Sequence, residues 1–140
     1  MPPQSEADSG PPRGLVEYAH WIYGLHALAV LVALLTSRSV ALRFAFSLPS
    51  IVAVIMNYAR RAEAQGTWLE SHFRWQIRTF WFACLWIAVT SICAMPLLII
   101  WIGFLIAMLG FSLIGLWVIY RIARGWLALR AGVAIPSAPP

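Results

Sequence analysis

The densest group of residues able to do chemistry lies in the run Thr67-Trp68-Leu69-Glu70-Ser71-His72-Phe73-Arg74-Trp75-Gln76-Ile77-Arg78. On a helix, Glu70, Arg74 and Arg78 form an i, i+4, i+8 row with His72 and Gln76 beside it, while Leu69, Phe73, Ile77 and Phe80 share another side. Guanidinium forks match phosphate and carboxylate oxygens in pairs, so the row is expected to touch an anionic lipid, a phosphate or a partner's acidic segment. The plainer alternative is a solvated face stitched by i, i+4 ion pairs. Trp68, Trp75 and Trp81 give the segment more amphipathic bulk than a linker needs. Glu70, His72, Arg74, Gln76 and Arg78 are therefore the candidate lipid- or partner-contact residues.

Other reactive side chains form no constellation. His20 and His26 stand six apart, about 240° around a helix, so they do not share a face; a bis-His haem would need a second histidine at matching depth on another span, and the one remaining histidine, His72, could reach the depth of His20 from an interfacial helix. Cys84 and Cys93 fall on opposite sides of one apolar helix, roughly 13 Å apart along its axis, and cannot pair with each other. Glu17 and Arg43 sit near the ends of apolar runs, where snorkelling is the ordinary role of a charge. The sequence contains no Gly-rich phosphate loop, no nucleophile with a base in motif context and no carboxylate pair at fixed spacing. The expectation is a protein that is not an enzyme and takes no metal or cofactor.

The elements that must position the contact residues are membrane helices. With 61% hydrophobic and 11% charged residues, the chain has too little polar surface for a water-soluble domain of this length. The apolar pattern predicts an all-α integral membrane fold with four transmembrane helices over about 15–35, 40–58, 79–95 and 97–120. An amphipathic interfacial helix is expected over 67–78, before the third span, opened by a capping box of Thr67 and Glu70. The second span is the weakest, with Pro49 near its middle. Thr79 to Tyr120 contains no charged residue and is about twice as long as one crossing needs, so a turn is expected near Ala94-Met95-Pro96, with a break near Gly103 as the alternative placement. Residues 1–14 and 131–140, rich in Pro and small residues, read as disordered tails.

Arginine placement sets the topology. With four crossings, Arg13, Arg60, Arg61, Arg74, Arg78, Arg121, Arg124 and Arg130 share one side, and only Arg38 and Arg43 lie on the other. The positive-inside rule then puts both termini in the cytoplasm. Arginines that flank apolar runs point to lipid head groups, and no nucleic-acid partner is expected.

Asn57-Tyr58-Ala59-Arg60-Arg61, the stretch Gly66 to Trp81, and Tyr120-Arg121-Ile122-Ala123-Arg124-Gly125-Trp126-Leu127 together resemble a bacterial family of small multi-pass membrane proteins. That family is related to the small membrane subunit of the chloroplast Tic translocon. The likeness covers roughly Tyr18 to Leu129 and centres on His72, Arg74 and Gln76; the chain departs from the pattern at Trp75 and Ile77, where relatives often carry amides. The resemblance implies a helical membrane bundle and carries over no catalytic residue.

The functional expectation is a non-enzymatic accessory or assembly subunit with a basic cytoplasmic contact segment. A small transporter or channel subunit whose pore forms between copies is the alternative, with Pro49 breaking a helix and Thr90 or Ser91 facing a polar path. Its expected partners are the lipid bilayer and either a membrane protein or a second copy, since Gly103, Ala107, Gly110, Gly24 and Ala27 suit close helix packing.

Overall fold

A computed structural model describes residues 10–35 and 40–136, with the side chains of Leu34, 40–47 and 98–100 excepted. It contains four α-helices and, among the described residues, no strand: α1 (Arg13–Leu35), α2 (Val40–Arg60), α3 (Leu69–Ala94) and α4 (Ile102–Arg130). Short 3-10 segments, Arg61–Ala64 and Met95–Ile100, join α2 to α3 and α3 to α4. Three of the helices, α1, α3 and α4, are long and apolar enough to cross a membrane. The expected turn at 36–39, including Arg38, lies outside the described residues, and so do residues 1–9 and 137–140 of the expected tails.

The helices run antiparallel in sequence order. Tyr18 near the start of α1 donates its hydroxyl to the Met56 carbonyl at 3.2 Å, and His26 further along meets Ser50 at 2.8 Å. On the other hairpin, Arg121 Nε donates to Thr79 Oγ1 at 2.7 Å, and Gly110 lies so close to Thr90 that an added Cβ would stand 3.1 Å from its hydroxyl oxygen. One connected core of Leu15, Ala19, Ile22, Tyr23, Leu69, Phe73 and Leu129 clamps the two hairpins together at the end that holds the chain's N-terminal helix start and the α2–α3 connection. Toward the other end the outer faces of α3 and α4 expose Leu85, Trp86, Ile92, Phe104, Leu109 and Leu113. Hydrocarbon, unlike water, exacts no penalty for such a surface.

Two expected boundaries are corrected. The interfacial helix over 67–78 and a separate span from 79 are one element, because α3 continues unbroken from Leu69 to Ala94. No Gly or Pro interrupts it, and Phe73, Gln76 and Thr79, spaced three apart, are all buried along it. At 26 residues α3 measures about 39 Å, beyond the roughly 30 Å of a hydrocarbon core, so its first turns extend past the apolar layer without a bend. Likewise Pro96 opens a 3-10 segment instead of the last helix, which starts at Ile102 and continues through Arg121 and Arg124 to Arg130. Charge ended the apolar window there; it did not end the helix.

Thr67 and Glu70 cap α3, shifted by one residue from the expected box. Thr67 Oγ1 accepts from the Leu69 N–H at 3.3 Å, while the Glu70 carboxylate reaches the N–H of Gly66 at 3.1 Å. Gly66 has φ +75°, a left-handed conformation that a Cβ would disfavour.

Residues 131–136 are also not a loose tail. Gly132, at φ +66°, ends α4 in a Schellman motif, with Gly132 N–H on the Leu129 carbonyl and Val133 N–H on that of Ala128, both at 3.1 Å. The chain then turns back over α3, where Ile135 is buried and its N–H donates to Ser71 Oγ at 2.9 Å.

Candidate functional site at the basic end

The antiparallel arrangement collects Arg13, Arg60, Arg61, Arg74, Arg78, Arg121, Arg124 and Arg130 at one end of the bundle. Just inside that end, polar side chains from all four helices interlock. The helical period sorts the five sequence candidates into two groups. Arg74 and Arg78 are exposed and Glu70 half-buried, whereas His72 and Gln76, one turn apart on α3, point into the bundle with 0% and 2% exposure. The contact surface expected of all five is thus an outer row of three plus an inner pair with its own partners.

His72 bridges α1 to the C-terminal segment. Its Nε2 lies 2.9 Å from the Val133 carbonyl, which can only accept, so Nε2 carries the proton. In the neutral ring Nδ1 is then an acceptor, and the Tyr23 hydroxyl, 3.3 Å away and fully buried, donates to it. Trp68 packs edge-on against the same imidazole at 5.5 Å between centroids. Gln76 Oε1 accepts from Asn57 Nδ2 at 2.8 Å, which ties α3 to α2; Asn57 is wholly buried.

Between the hairpins lies a cavity of about 50 Å³, lined by Tyr23, His26, Ser50, Gln76, Thr79 and Arg121 among others. Two buried nitrogens of its lining residues, His26 Nε2 and Gln76 Nε2, find no protein partner. A chamber of that size with several polar groups suits hydrogen-bonded water better than an apolar ligand.

The outer row is electrostatically unbalanced. Glu70 pairs with Arg74, and Glu63 with Arg60; both pairs are solvent-exposed and worth little. Among the described residues Arg78, Arg121 and Arg124 have no carboxylate partner. The guanidinium of Arg121 instead stacks 3.6 Å from the Trp75 ring centre and that of Arg124 lies 5.7 Å from it, while the indole N–H donates to the Arg121 carbonyl at 3.1 Å.

Tyr23, Asn57, Thr79 and Arg121 are the network residues that the sequence reading left out. Each is a hydrogen-bonding side chain inside or at the margin of an apolar run, which was the available signal. The other candidates fall elsewhere. Cys84 and Cys93 are exposed on α3. Thr90 packs on Gly110, and Ser91, exposed on α3, donates back to the Ile87 carbonyl of its own helix. The Arg43 side chain lies outside the described residues. Comparison with known proteins gave no relative: no family model, no curated protein and no solved structure matches the chain.

Proposed function

We propose that this is a non-enzymatic subunit of a bacterial inner membrane that crosses four times, keeps both termini in the cytoplasm, and offers its basic end to an assembly partner. The observation that carries this reading is the collection of eight arginines at one end of the bundle, two of them ion-paired to carboxylates among the described residues. Such asymmetry retains an end on the cytoplasmic side. The inward-facing polar groups support a structural use, because Tyr23, Asn57, His72 and Gln76 join helix to helix. The contacts of α2 at Ser50 and Met56 align it with α1, so a crossing α1 takes α2 along with it. Membership of the small-protein family that the sequence resembles is compatible with this proposal and adds no residue to it.

Topology reporters test the frame. Fusions at both termini and in the connection 61–68 are expected to report cytoplasm, and one between Leu35 and Val40 to report periplasm. Termini on opposite faces would mean three crossings and would end the proposal. The contact surface has its own test: Arg74→Ala with Arg78→Ala removes two exposed side chains, so the melting temperature should hold while co-isolation of the partner falls several-fold. Unchanged partners, bound lipid and phenotype would rule the surface out.

A further inference from the structure

Arg74, Arg78 and Arg121 line an open cavity of about 70 Å³ together with Ser71 and Trp75, and the turned-back residues Ile135 and Pro136 close one side of it. Arg124 stacks on the same indole. Three arginines thus share the cavity with Trp75, while Arg124 stands just outside it, donating to the Tyr120 hydroxyl at 3.1 Å; Glu70, held by Arg74, is the one carboxylate in contact with these four among the described residues. Like charges at such separations repel, more strongly beside a low-dielectric bundle than in water. Arg121 is not free to swing away, because its Nε donates to Thr79 Oγ1 at 2.7 Å and its plane rests on Trp75. A fixed guanidinium in a cavity with two further arginines is a preorganised receptor for an oxyanion.

The surroundings of the cavity say what kind of molecule bears that anion. From Arg78 an exposed apolar stripe continues along α3 through Phe82, Leu85 and Val89, at 40%, 54% and 39% exposure, into the part of the helix long and apolar enough to cross. On α4 the corresponding track below Arg124 is Tyr120, Leu116 and Leu113, all exposed. A free anion has no use for these stripes, whereas an acyl chain lies along them when its head group sits among the arginines. Basic pockets between helices at the cytoplasmic head-group level recognise anionic lipids by this combination.

We infer that the cavity binds the phosphodiester head group of an anionic phospholipid, with Arg78 and Arg121 of its lining on the phosphate, Arg124 reaching it from beyond the lining beside Trp75, and the acyl chains along α3 and α4. This deepens the proposed function and rests on its membrane-crossing frame.

Native mass spectrometry of the full chain in mild detergent tests it, with dioleoylphosphatidylglycerol, dioleoylphosphatidylcholine and inorganic phosphate as probes. Both lipids carry a phosphodiester, but the choline cation is repelled by the arginines. One phosphatidylglycerol should bind at a concentration about tenfold below that needed for phosphatidylcholine, and Arg78→Gln with Arg124→Gln should abolish the difference. Both side chains are exposed, so the double variant should melt as the parent does. Arg121→Lys, which keeps the charge and loses the fork, should weaken phosphatidylglycerol binding several-fold.

Equal affinity for the two lipids, or undiminished preference in a folded double variant, would overturn the inference. Displacement of the lipid by millimolar inorganic phosphate would also overturn it, by identifying a free-anion site. Loss of lipid preference with both termini cytoplasmic would fail the pocket and leave the topology standing; termini on opposite faces with the preference intact would do the reverse.

Discussion

Gly125→Ala is expected to destabilise the bundle by about 1–3 kcal/mol, the cost of forcing atoms into a filled core. Gly125 is buried in α4 where that helix crosses Tyr23 of α1, and an added Cβ would stand 2.8 Å from Tyr23 Cε1 and 2.9 Å from Cζ, with the hydroxyl oxygen closer still. Tyr23 has no easy retreat, since it is 1% exposed and its hydroxyl is committed to His72. Gly115→Ala on the same helix is the control, because nothing lies within 4 Å of its added Cβ. It should be neutral or stabilising by up to about 1 kcal/mol, the helix-propensity difference between the two residues. Equilibrium unfolding of the detergent-solubilised protein measures both. Tyr23→Leu combined with Gly125→Ala should cost less than the sum of the two single changes, because shortening the ring removes the overlapping atoms. If Gly125→Ala and Gly115→Ala behaved alike, the close approach of α1 and α4 would be wrong.

That contact illustrates what the sequence does and does not reveal. The existence of four helices was legible because long apolar runs separated by Arg, Gly and Pro leave little alternative, and a break between the last two was legible because no bilayer accommodates 42 uncharged residues in one crossing; its place was not, since the chain passes from Ala94 into the 3-10 segment Met95–Ile100 and α4 starts only after Trp101, at φ +62°. Gly110 announced itself as a packing position through its spacing from Gly103 and Ala107. Gly125 did not, because it sits among Arg124 and Trp126 in a stretch that reads as head-group anchor. The continuous axis of α3 was hidden for a related reason. Amphipathicity over 67–78 fits a helix lying flat in the interface and equally one standing upright against a bundle, and only the positions of Asn57, Tyr23 and Val133 distinguish the two.

The candidate site was half legible on the same grounds. A helical projection correctly grouped Glu70, Arg74 and Arg78, because that is a property of one helix. Whether His72 and Gln76 face solvent or protein depends on which neighbours bring hydrogen-bonding partners, a property of four. Arg121 lay outside the site for the sequence reading because it is far along the chain, yet the α3–α4 hairpin returns it beside Thr79. Ile135, a single apolar residue in a Pro-rich end, gave no periodic signal, and it is buried because the Schellman turn at Gly132 aims it at α3.

His72→Phe is expected to cost about 1–3 kcal/mol and, more tellingly, to release residues 131–136 from the bundle. Phenylalanine fills much of the imidazole's space, so the loss is not mainly one of packing. It strips the buried Tyr23 hydroxyl of its His72 acceptor, and the loss of that buried hydrogen bond carries most of the penalty. The Val133 carbonyl also loses its donor, but Val133 is exposed and water can replace the bond, so the energetic cost at that end is small while the mechanical consequence is large. With the Val133 anchor gone, only Ser71 Oγ and the burial of Ile135 hold the segment down. Amide exchange at 133–135 should accelerate and carboxypeptidase should trim further into the chain, while exchange in α3 beyond Thr79 stays as it was. Tyr23→Phe separates the two effects: it removes the buried hydroxyl together with its need for an acceptor, leaves the His72–Val133 bond in place, and should therefore keep the C-terminal segment protected. In the double variant the stability cost should be smaller than the sum of the single ones, since the hydroxyl whose bond His72→Phe breaks is no longer there. Equal C-terminal protection in His72→Phe and the parent would show that His72 does not hold the segment.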